Sequence, residues 1–248
     1  MSIRLVFAVA VAMMAQAARG APKVMAVDVD GMIHPVTTEI VSSALAAAKQ
    51  QGASLVIVRL NTPGGLMDAM RDTISQIIAS PVPVVTYVEP SGSRAASAGF
   101  FILEAGDLAA MASGTNTGAA HPVAMGGEMD AVMKEKVEND AAAYLRSICS
   151  KRGRNSELAE TAVRQSKSFT EREALDQKLI DLVAPNEAEL LTMLDGRTIT
   201  RFDGSKVTLH TTGASVEVYQ RTLRQKIMAG NARALYNLAP RQAVLSSD

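Results

Sequence analysis

Ser97 lies where a polar turn gives way to an apolar helix. The surrounding segment, GSRAASAGFFI at residues 92–102, consists mostly of small residues. A serine in the first turn of a buried helix has its hydroxyl near the positive end of the helix dipole, where free backbone N–H groups can receive a developing oxyanion. Ser97 is therefore a candidate nucleophile, although Ser-Ala-Gly at a helix start is more often only a close packing contact.

Two glycines end an apolar run upstream of Ser97. The run LVIVRL at residues 55–60 is followed by NTPGG at residues 61–65. Glycines at the carboxyl end of a strand let the backbone approach a ligand closely. The backbone N–H groups of Gly65 and Ala98 would flank a carbonyl placed between the two segments, so both are candidate oxyanion donors. Gly64 is assigned to the turn itself.

Two kinds of base could activate Ser97, because a serine hydroxyl is a weak nucleophile until its proton is removed. His121 lies in a later segment that can fold back, and histidine titrates near neutrality. Lys134 and Lys136 open a long helical segment, and burial would lower a lysine pKa because desolvation disfavours the ammonium form. Helical phase alone favours Lys134, which is closer to the apolar stripe centred on Ala141.

Four segments taken together are more specific than any one of them. They are RLNTPGG at 59–65, GSRAASAGFFI at 92–102, MASGTNTGAAHPV at 111–123 and SFTEREALDQKLIDLVA at 168–184. In this order they resemble the NfeD family of membrane-associated serine proteases, relatives of the Clp protease subunit and signal peptide peptidase A. The resemblance runs from about Lys23 to Ala184.

The resemblance implies an α/β fold, the stacked ββα spiral of Clp proteases and crotonases. It also implies a lysine base in the pattern KVENDA at residues 136–141, which selects Lys136. For Lys136 to face Ser97, the first helical turn must unwind or kink near Glu135. His121 stands one position away from the Clp histidine, so a Clp-like triad would need a register shift; otherwise His121 shapes the loop or binds substrate.

The function implied by the resemblance is a serine endopeptidase with a Ser97–Lys136 dyad that forms an acyl-enzyme on apolar segments of stomatin-like membrane proteins. The small residues around Ser97 suit an extended peptide that adds to a sheet edge. Neither a metal nor a cofactor is expected, and we expect a homodimer or higher homo-oligomer. The alternatives are a Ser97–His121 protease, a crotonase-type acyl-CoA enzyme, and a non-catalytic scaffold that binds a stomatin-like partner.

The composition bounds these hypotheses. A chain of 248 residues with 48% hydrophobic content predicts one main domain with appendages. The formal net charge is zero, which gives no support for a nucleic-acid partner. Cys149 is the only cysteine, so no intrachain disulfide can form, and its place on an apolar helical stripe predicts burial.

The first twenty residues are typical of a secretory signal peptide. Arg4 precedes an apolar run over residues 5–15, and small residues suited to cleavage follow at Ala17 and Gly20. We therefore expect an exported protein. No later apolar run reaches the length of a membrane span, so no transmembrane helix is expected after residue 20.

Strands alternating with helices predict a parallel sheet in a protease domain over residues 21–195. The glycine-rich residues 113–129 are predicted to form a loop. In residues 196–219, the stretches ITRF, VTLH and VEVY predict a small antiparallel sheet. Residues 220–248 predict a basic amphipathic helical tail, for which a membrane surface is a candidate partner. Lys178 stands at a turn where the resembling family often has glycine.

Overall fold

The structure, a computed structural model, describes residues 21–123 and 130–238. The predicted signal peptide over residues 1–20 lies outside the described residues. So do residues 124–129 of the glycine-rich segment and residues 239–248 of the tail. The expectations that fall on these segments remain predictions.

Helices and strands alternate along most of the described chain. The helices are α1 (Pro35–Gln50), α2 (Met67–Ala79), α3 (Ala98–Ala105), α4 (Ala131–Lys151), α5 (Ser156–Arg164), α6 (Glu171–Asp176), α7 (Glu187–Leu194) and α8 (Leu223–Leu238). The strands are β1 (Lys23–Asp30), β2 (Leu55–Asn61), β3 (Val84–Val88), β4 (Arg94–Ala96), β5 (Leu108–Met111), β6 (Asn116–Gly118), β7 (Ser168–Thr170), β8 (Leu182–Val183), β9 (Thr198–Thr200), β10 (Lys206–Thr208) and β11 (Ser215–Val218).

The main sheet has six strands in the order β11-β1-β2-β3-β5-β8, and every neighbouring pair is parallel. In its centre, Val24 of β1 pairs with Leu55 of β2, and Val56 of β2 pairs with Val84 of β3. These strands are apolar at nearly every position because both faces of the sheet are covered. The predicted parallel sheet with crossover helices is confirmed.

Each face of the main sheet packs against a separate buried cluster. Val56, Val58 and Leu60 of β2 join a cluster with apolar residues of α1 to α5. The alternate residues Leu55 and Ile57 join the other cluster, in which α7 and the β9–β10 hairpin cover the sheet. The two-residue period of the strand thus divides its side chains between the two layers.

A second, small sheet carries Ser97. Its order is β4-β6-β7, with β4 and β6 parallel and β6 and β7 antiparallel. An isolated bridge between Thr62 and Ala95 joins it to the loop after β2. This sheet places the end of β4 beside the carboxyl end of the main sheet, and Ser97 is the next residue.

Two expectations about local structure are wrong, and one helix was not predicted. The predicted loop over residues 113–129 contains strand β6, because residues 116–118 pair on both sides within the small sheet. The three-stranded antiparallel appendage is only the β9–β10 pair, since β11 pairs with β1 in parallel and extends the main sheet. Helix α7 was missed; the Asn186 side chain caps it by accepting a hydrogen bond from the Glu189 N–H.

Candidate active site

Ser97 is the single residue between strand β4 and helix α3, and its backbone is strained. Its φ and ψ are 54° and −120°, a region that serine rarely adopts and that costs about 1–3 kcal/mol. The Ser97 N–H donates to the Gly118 carbonyl at 2.8 Å, which holds the turn against β6. A sharp strand-to-helix turn of this kind exposes a nucleophile at the head of a helix.

The glycine loop after β2 is held against β4 by Thr62. The Thr62 N–H donates to the Arg94 carbonyl at 2.7 Å, and the Ala96 N–H donates to the Thr62 carbonyl at 3.0 Å. The buried Thr62 hydroxyl accepts from the Gly64 N–H at 3.0 Å. Thr62 is a site residue that the sequence does not reveal, because its neighbours give no local signal of this pairing.

Gly64 and Gly65 are required for different reasons. A Cβ on Gly64 would lie 2.5 Å from the Ser97 Cβ, and Gly64 has a φ of 111°. A Cβ on Gly65 would collide with the backbone of Ile33 in the loop after β1. Gly64 therefore permits the close approach to Ser97, and Gly65 permits the bridge between the first two loops.

Two backbone N–H groups beside Ser97 have no acceptor. Among residues 21–123 and 130–238, no hydrogen bond is made by the Gly65 N–H or by the Ala98 N–H at the start of α3. Both residues line the same cavity as Ser97. The first N–H groups of a helix have no partner within the helix, so the Ala98 group is available to an external acceptor.

The cavity against Ser97 has a volume of about 450 Å³ and a mainly apolar lining. Met70 of α2, Phe101 of α3 and Ala141 of α4 are buried and form its inner wall. The rest is lined by the glycine loop and by Met32, Leu66, Met67, Ala120, Pro122, Val123 and Val137. A cavity of this character accepts an apolar side chain, and methionine side chains adapt to several shapes.

Lys136 is not in this cavity. It is exposed on the second turn of α4, and no hydrogen bond or ion pair joins it to any residue of the described chain. Lys134 is also exposed and does not line the cavity. The neighbouring Val137 and Ala141 do line it, so the helix passes the site without directing either lysine at Ser97.

Helix α4 is anchored from Glu138 onward, where Arg164 contacts Glu138 and Asn139 at 3.4 and 2.9 Å. Arg71 of α2 pairs with Asp140 at 2.5 Å and stacks on the Tyr144 ring at 4.2 Å. The preceding turns are exposed, including Val132, which is 77% exposed. The part of α4 that carries both lysines thus has few contacts that fix its position.

His121 is half-buried and faces another partner. Its Nδ1 lies 2.9 Å from the Val163 carbonyl, to which it donates. Ala120 and Pro122 line the cavity, whereas His121 does not. The structure therefore places the flanking residues, and not the imidazole, at the site.

A buried polar cluster lies at the other end of the Ser97 helix. Glu104 of α3 is fully buried beside Arg154, whose nearer carboxylate is Asp181 at 2.8 Å. Burial raises the pKa of Glu104 to about 7, and Arg154 opposes this only in part. The Cys149 thiol donates to Glu104 at 3.4 Å, and burial raises its pKa. The predicted burial of Cys149 is confirmed, and this cluster ties α3 to the end of α4.

Comparison with known families now identifies the chain. Residues 23–203 match the family described as NfeD1b, N-terminal domain. The chain belongs to this family. The resemblance inferred from the four segments is therefore confirmed.

Two curated proteins are similar to the chain. The membrane-bound protease PH1510 of Pyrococcus horikoshii is 33% identical over 204 residues, which cover 81% of this chain and 46% of that protein. The membrane protein NfeD1b of Bacillus subtilis is 35% identical over 97 residues, which cover 39% of this chain and 22% of that protein. The chain thus spans less than half the length of either relative.

Solved structures of the 1510-N membrane-bound stomatin-specific protease share the fold. A lysine-to-alanine mutant in complex with a substrate peptide has a TM-score of 0.79 and 30% identity, covering 89% of this chain and 100% of that chain. A serine-to-alanine mutant has a TM-score of 0.76 and 32% identity, covering 82% of this chain and 100% of that chain. The predicted Clp-like α/β fold is confirmed by these matches. Of the helices in the described residues, none has the length and apolar character of a bilayer span.

Proposed function

We propose that the chain is a serine endopeptidase with Ser97 as its nucleophile. The observation that carries this proposal is the strained turn at Ser97, which stands beside two unpaired N–H groups at an apolar cavity. The strained backbone conformation of Ser97 costs about 1–3 kcal/mol, and strain of this kind is concentrated at functional sites. Proteins of related fold and at least 30% identity include a protease with a bound substrate peptide.

The reaction follows from these groups. The Ser97 hydroxyl oxygen attacks the scissile carbonyl carbon while its proton passes to a base. The N–H groups of Gly65 and Ala98 donate to the resulting oxyanion, which lies between them. Collapse of this tetrahedral intermediate breaks the scissile C–N bond, and the base returns the proton to the departing amine. Water then hydrolyses the acyl-Ser97 ester with the same base assisting.

We assign the base to Lys136 as a neutral amine. Support comes from the family pattern at residues 136–141 and from the lysine-to-alanine mutation in the related protease that holds a substrate peptide. In the described structure Lys136 is exposed, so the assignment requires the first turns of α4 to move toward Ser97. Val137, the next residue, already lines the cavity, and the exposed turns that carry Lys136 have few contacts to oppose such a movement.

The substrate we propose is an extended polypeptide with an apolar residue at the cavity. The mainly apolar lining supports this choice, and a stomatin-like membrane protein is the proposed source because the related protease is described as stomatin-specific. We further propose that the protein acts outside the cytoplasm and as a homo-oligomer, which are inferences from the sequence.

The decisive experiment is covalent trapping. A fluorophosphonate probe should label the wild-type chain on the peptide that contains Ser97, and Ser97→Ala should abolish labelling and peptide cleavage while leaving the thermal unfolding midpoint nearly unchanged. Cleavage that persists in a well-folded Ser97→Ala variant would exclude Ser97 as nucleophile.

The base is tested with three matched variants. Lys136→Ala should lose nearly all cleavage, since residues that act as one unit fail together, whereas Lys134→Ala and His121→Ala should retain most of it. If His121→Ala or Lys134→Ala is the inactive variant, the base assignment moves to that residue.

The exposed position of Lys136 favours a second candidate, a module that binds a stomatin-like partner without cleaving it. Such a module would bind apolar peptides in the same cavity but would resist the fluorophosphonate probe. Peptide binding measured by fluorescence anisotropy, together with no adduct and no cleavage, would support this alternative.

A further inference from the structure

The first two turns of helix α8 present large apolar side chains to solvent. Leu223 is 74% exposed and Ile227 is 54% exposed, while the polar Gln225 between them is only 2% exposed. Residues four apart lie on the same side of a helix, so Leu223 and Ile227 form one outward stripe. A surface helix usually turns its apolar side to the core, so the stripe of Leu223 and Ile227 has the opposite orientation.

The rotation of α8 is set by specific hydrogen bonds. The Thr222 N–H donates to the Gln225 side-chain oxygen at 3.0 Å, and the Gln225 N–H donates to the Thr222 hydroxyl at 3.2 Å. This reciprocal pair is a capping box. The Gln225 amide also faces Ser43 and Glu39 of α1, at 3.4 and 3.5 Å. The outward position of Leu223 is therefore a property of the fold.

The exposed apolar residues are concentrated on this helix. Nine large apolar side chains are exposed in the described chain, and three of them, Leu223, Ile227 and Met228, lie within six residues of α8. Scattered exposed apolar residues need no explanation, but a contiguous patch indicates an interaction surface.

The charge of the C-terminal segment is one-sided, although Arg224 pairs with Glu39 of α1 at 3.3 Å. Between Glu217 and Asp248 the sequence contains no acidic residue and five basic ones, Arg221, Arg224, Lys226, Arg233 and Arg241. Arg224 and Lys226 flank the apolar stripe on opposite sides by helical phase. An apolar stripe between cations is the pattern of a helix that lies in the interface of an anionic bilayer.

We propose that the outward stripe of α8, flanked by Arg224 and Lys226, lies on the surface of a bilayer that contains anionic lipid. The basic rim attracts anionic headgroups, and the apolar side chains enter the boundary of the acyl region. A relative that spans more than twice the matched length is named as membrane-bound, which agrees with a membrane near this domain. The proposal does not depend on the protease activity.

A second copy of the chain fits this surface less well. A twofold dimer would place the same patch on both sides, so the cations of one copy would face those of the other. Helix α8 itself carries no acidic residue, and Glu39 of α1, which pairs with Arg224 at 3.3 Å, offsets one of its cations. A bilayer with anionic headgroups is therefore the occupant that the charge favours.

The test uses a local probe in the full chain, because the apolar residues 5–15 could bind vesicles by themselves. The sequence has no tryptophan, so Leu223→Trp reports only on the stripe. Its emission should shift to shorter wavelength with vesicles of phosphatidylcholine and phosphatidylglycerol. The shift should be much smaller with phosphatidylcholine alone and should weaken as salt is raised. Ile227→Trp is a second probe, and Leu175→Trp on α6 is the control that should not shift.

Removal of the flanking charge supplies the second measurement. Arg224→Gln with Lys226→Gln, in the Leu223→Trp background, should raise the lipid concentration needed for half of the shift on the order of tenfold. The exposed pair Arg172→Gln with Lys206→Gln removes the same charge elsewhere and should have little effect. An unchanged emission at both probe positions would refute the proposal, and so would equal shifts on neutral vesicles. A shift that depends on protein concentration without lipid would assign the stripe to a second copy.

Discussion

The Cα of Gly64 lies directly against the side chain of Ser97. A Cβ at residue 64 would stand 2.5 Å from the Ser97 Cβ and 3.0 Å from its hydroxyl oxygen. The sequence indicates only a turn at Gly64, and the structure adds a second requirement for glycine at this position. Gly64 provides the space in which the serine hydroxyl can turn toward a substrate.

Gly64→Ala should therefore reduce peptide cleavage by a hundredfold or more, on the order expected when catalytic geometry is displaced. Gly92→Ala is the matched control, since Gly92 also has a positive φ of 87° but has no atom near the position of a new Cβ. Steady-state kinetics of both variants measure the difference. Equal losses would mean that backbone strain, and not contact with Ser97, accounts for the effect.

Ser97→Gly should be more stable than Ser97→Ala by about 1 kcal/mol, while both variants are inactive. Glycine adopts the Ser97 conformation without the strain that any side chain incurs, although it loses more entropy on folding. Chemical denaturation of the two variants measures the difference. If Ser97→Gly is no more stable than Ser97→Ala, the turn stores no strain.

Lys178→Gly should stabilise the protein by roughly 0.5–1 kcal/mol. Lys178 has a φ of 60°, so this lysine adopts the left-handed turn that glycine favours. Within residues 21–123 and 130–238 the exposed Lys178 side chain makes no hydrogen bond or ion pair that would be lost, and the Lys178 carbonyl still accepts from the Asn155 N–H. Gln177→Gly, at a φ of −98°, is the control and should destabilise. Thermal and denaturant unfolding distinguish the two.

Glu104→Gln should flatten the pH dependence of stability. The pKa of Glu104 is raised from 4.5 to about 7, so the folded chain holds this proton more tightly than the unfolded chain does. The contribution of this group to the free energy of unfolding is complete below pH 4.5 and falls as pH rises toward 7, by up to about 3 kcal/mol. The glutamine cannot ionise and should lack this fall.

The free energy of unfolding should be measured with denaturant at several pH values from about 4 to about 8, a range that includes both pKa values. Glu157→Gln, at an exposed site on α5, controls for the loss of one carboxylate. A slope in Glu104→Gln that equals the wild-type slope would show that another group titrates in this range.

Local pattern was sufficient for most of the main sheet. In runs such as residues 55–60, nearly every residue is apolar, and this pattern is typical of a strand that is covered on both faces. The capping box of Thr170 and Glu173 is likewise a local feature, because it involves two residues three apart. The prediction for strand β11 is wrong. Its short alternating sequence is compatible with an antiparallel hairpin and also with pairing along the open edge of β1, and only the fold shows that this edge is available.

The sequence by itself determined the family, the parallel sheet and Ser97 as the residue at the strand-to-helix turn, because each rests on short segments whose chemistry is local. Only the tertiary structure decided that Gly64 faces Ser97 and that Gly65 faces Ile33. It also decided that Lys136 is exposed and that α8 turns Leu223 to solvent. These relationships join segments that are distant along the chain, and close backbone approach or exposure depends on how whole elements pack.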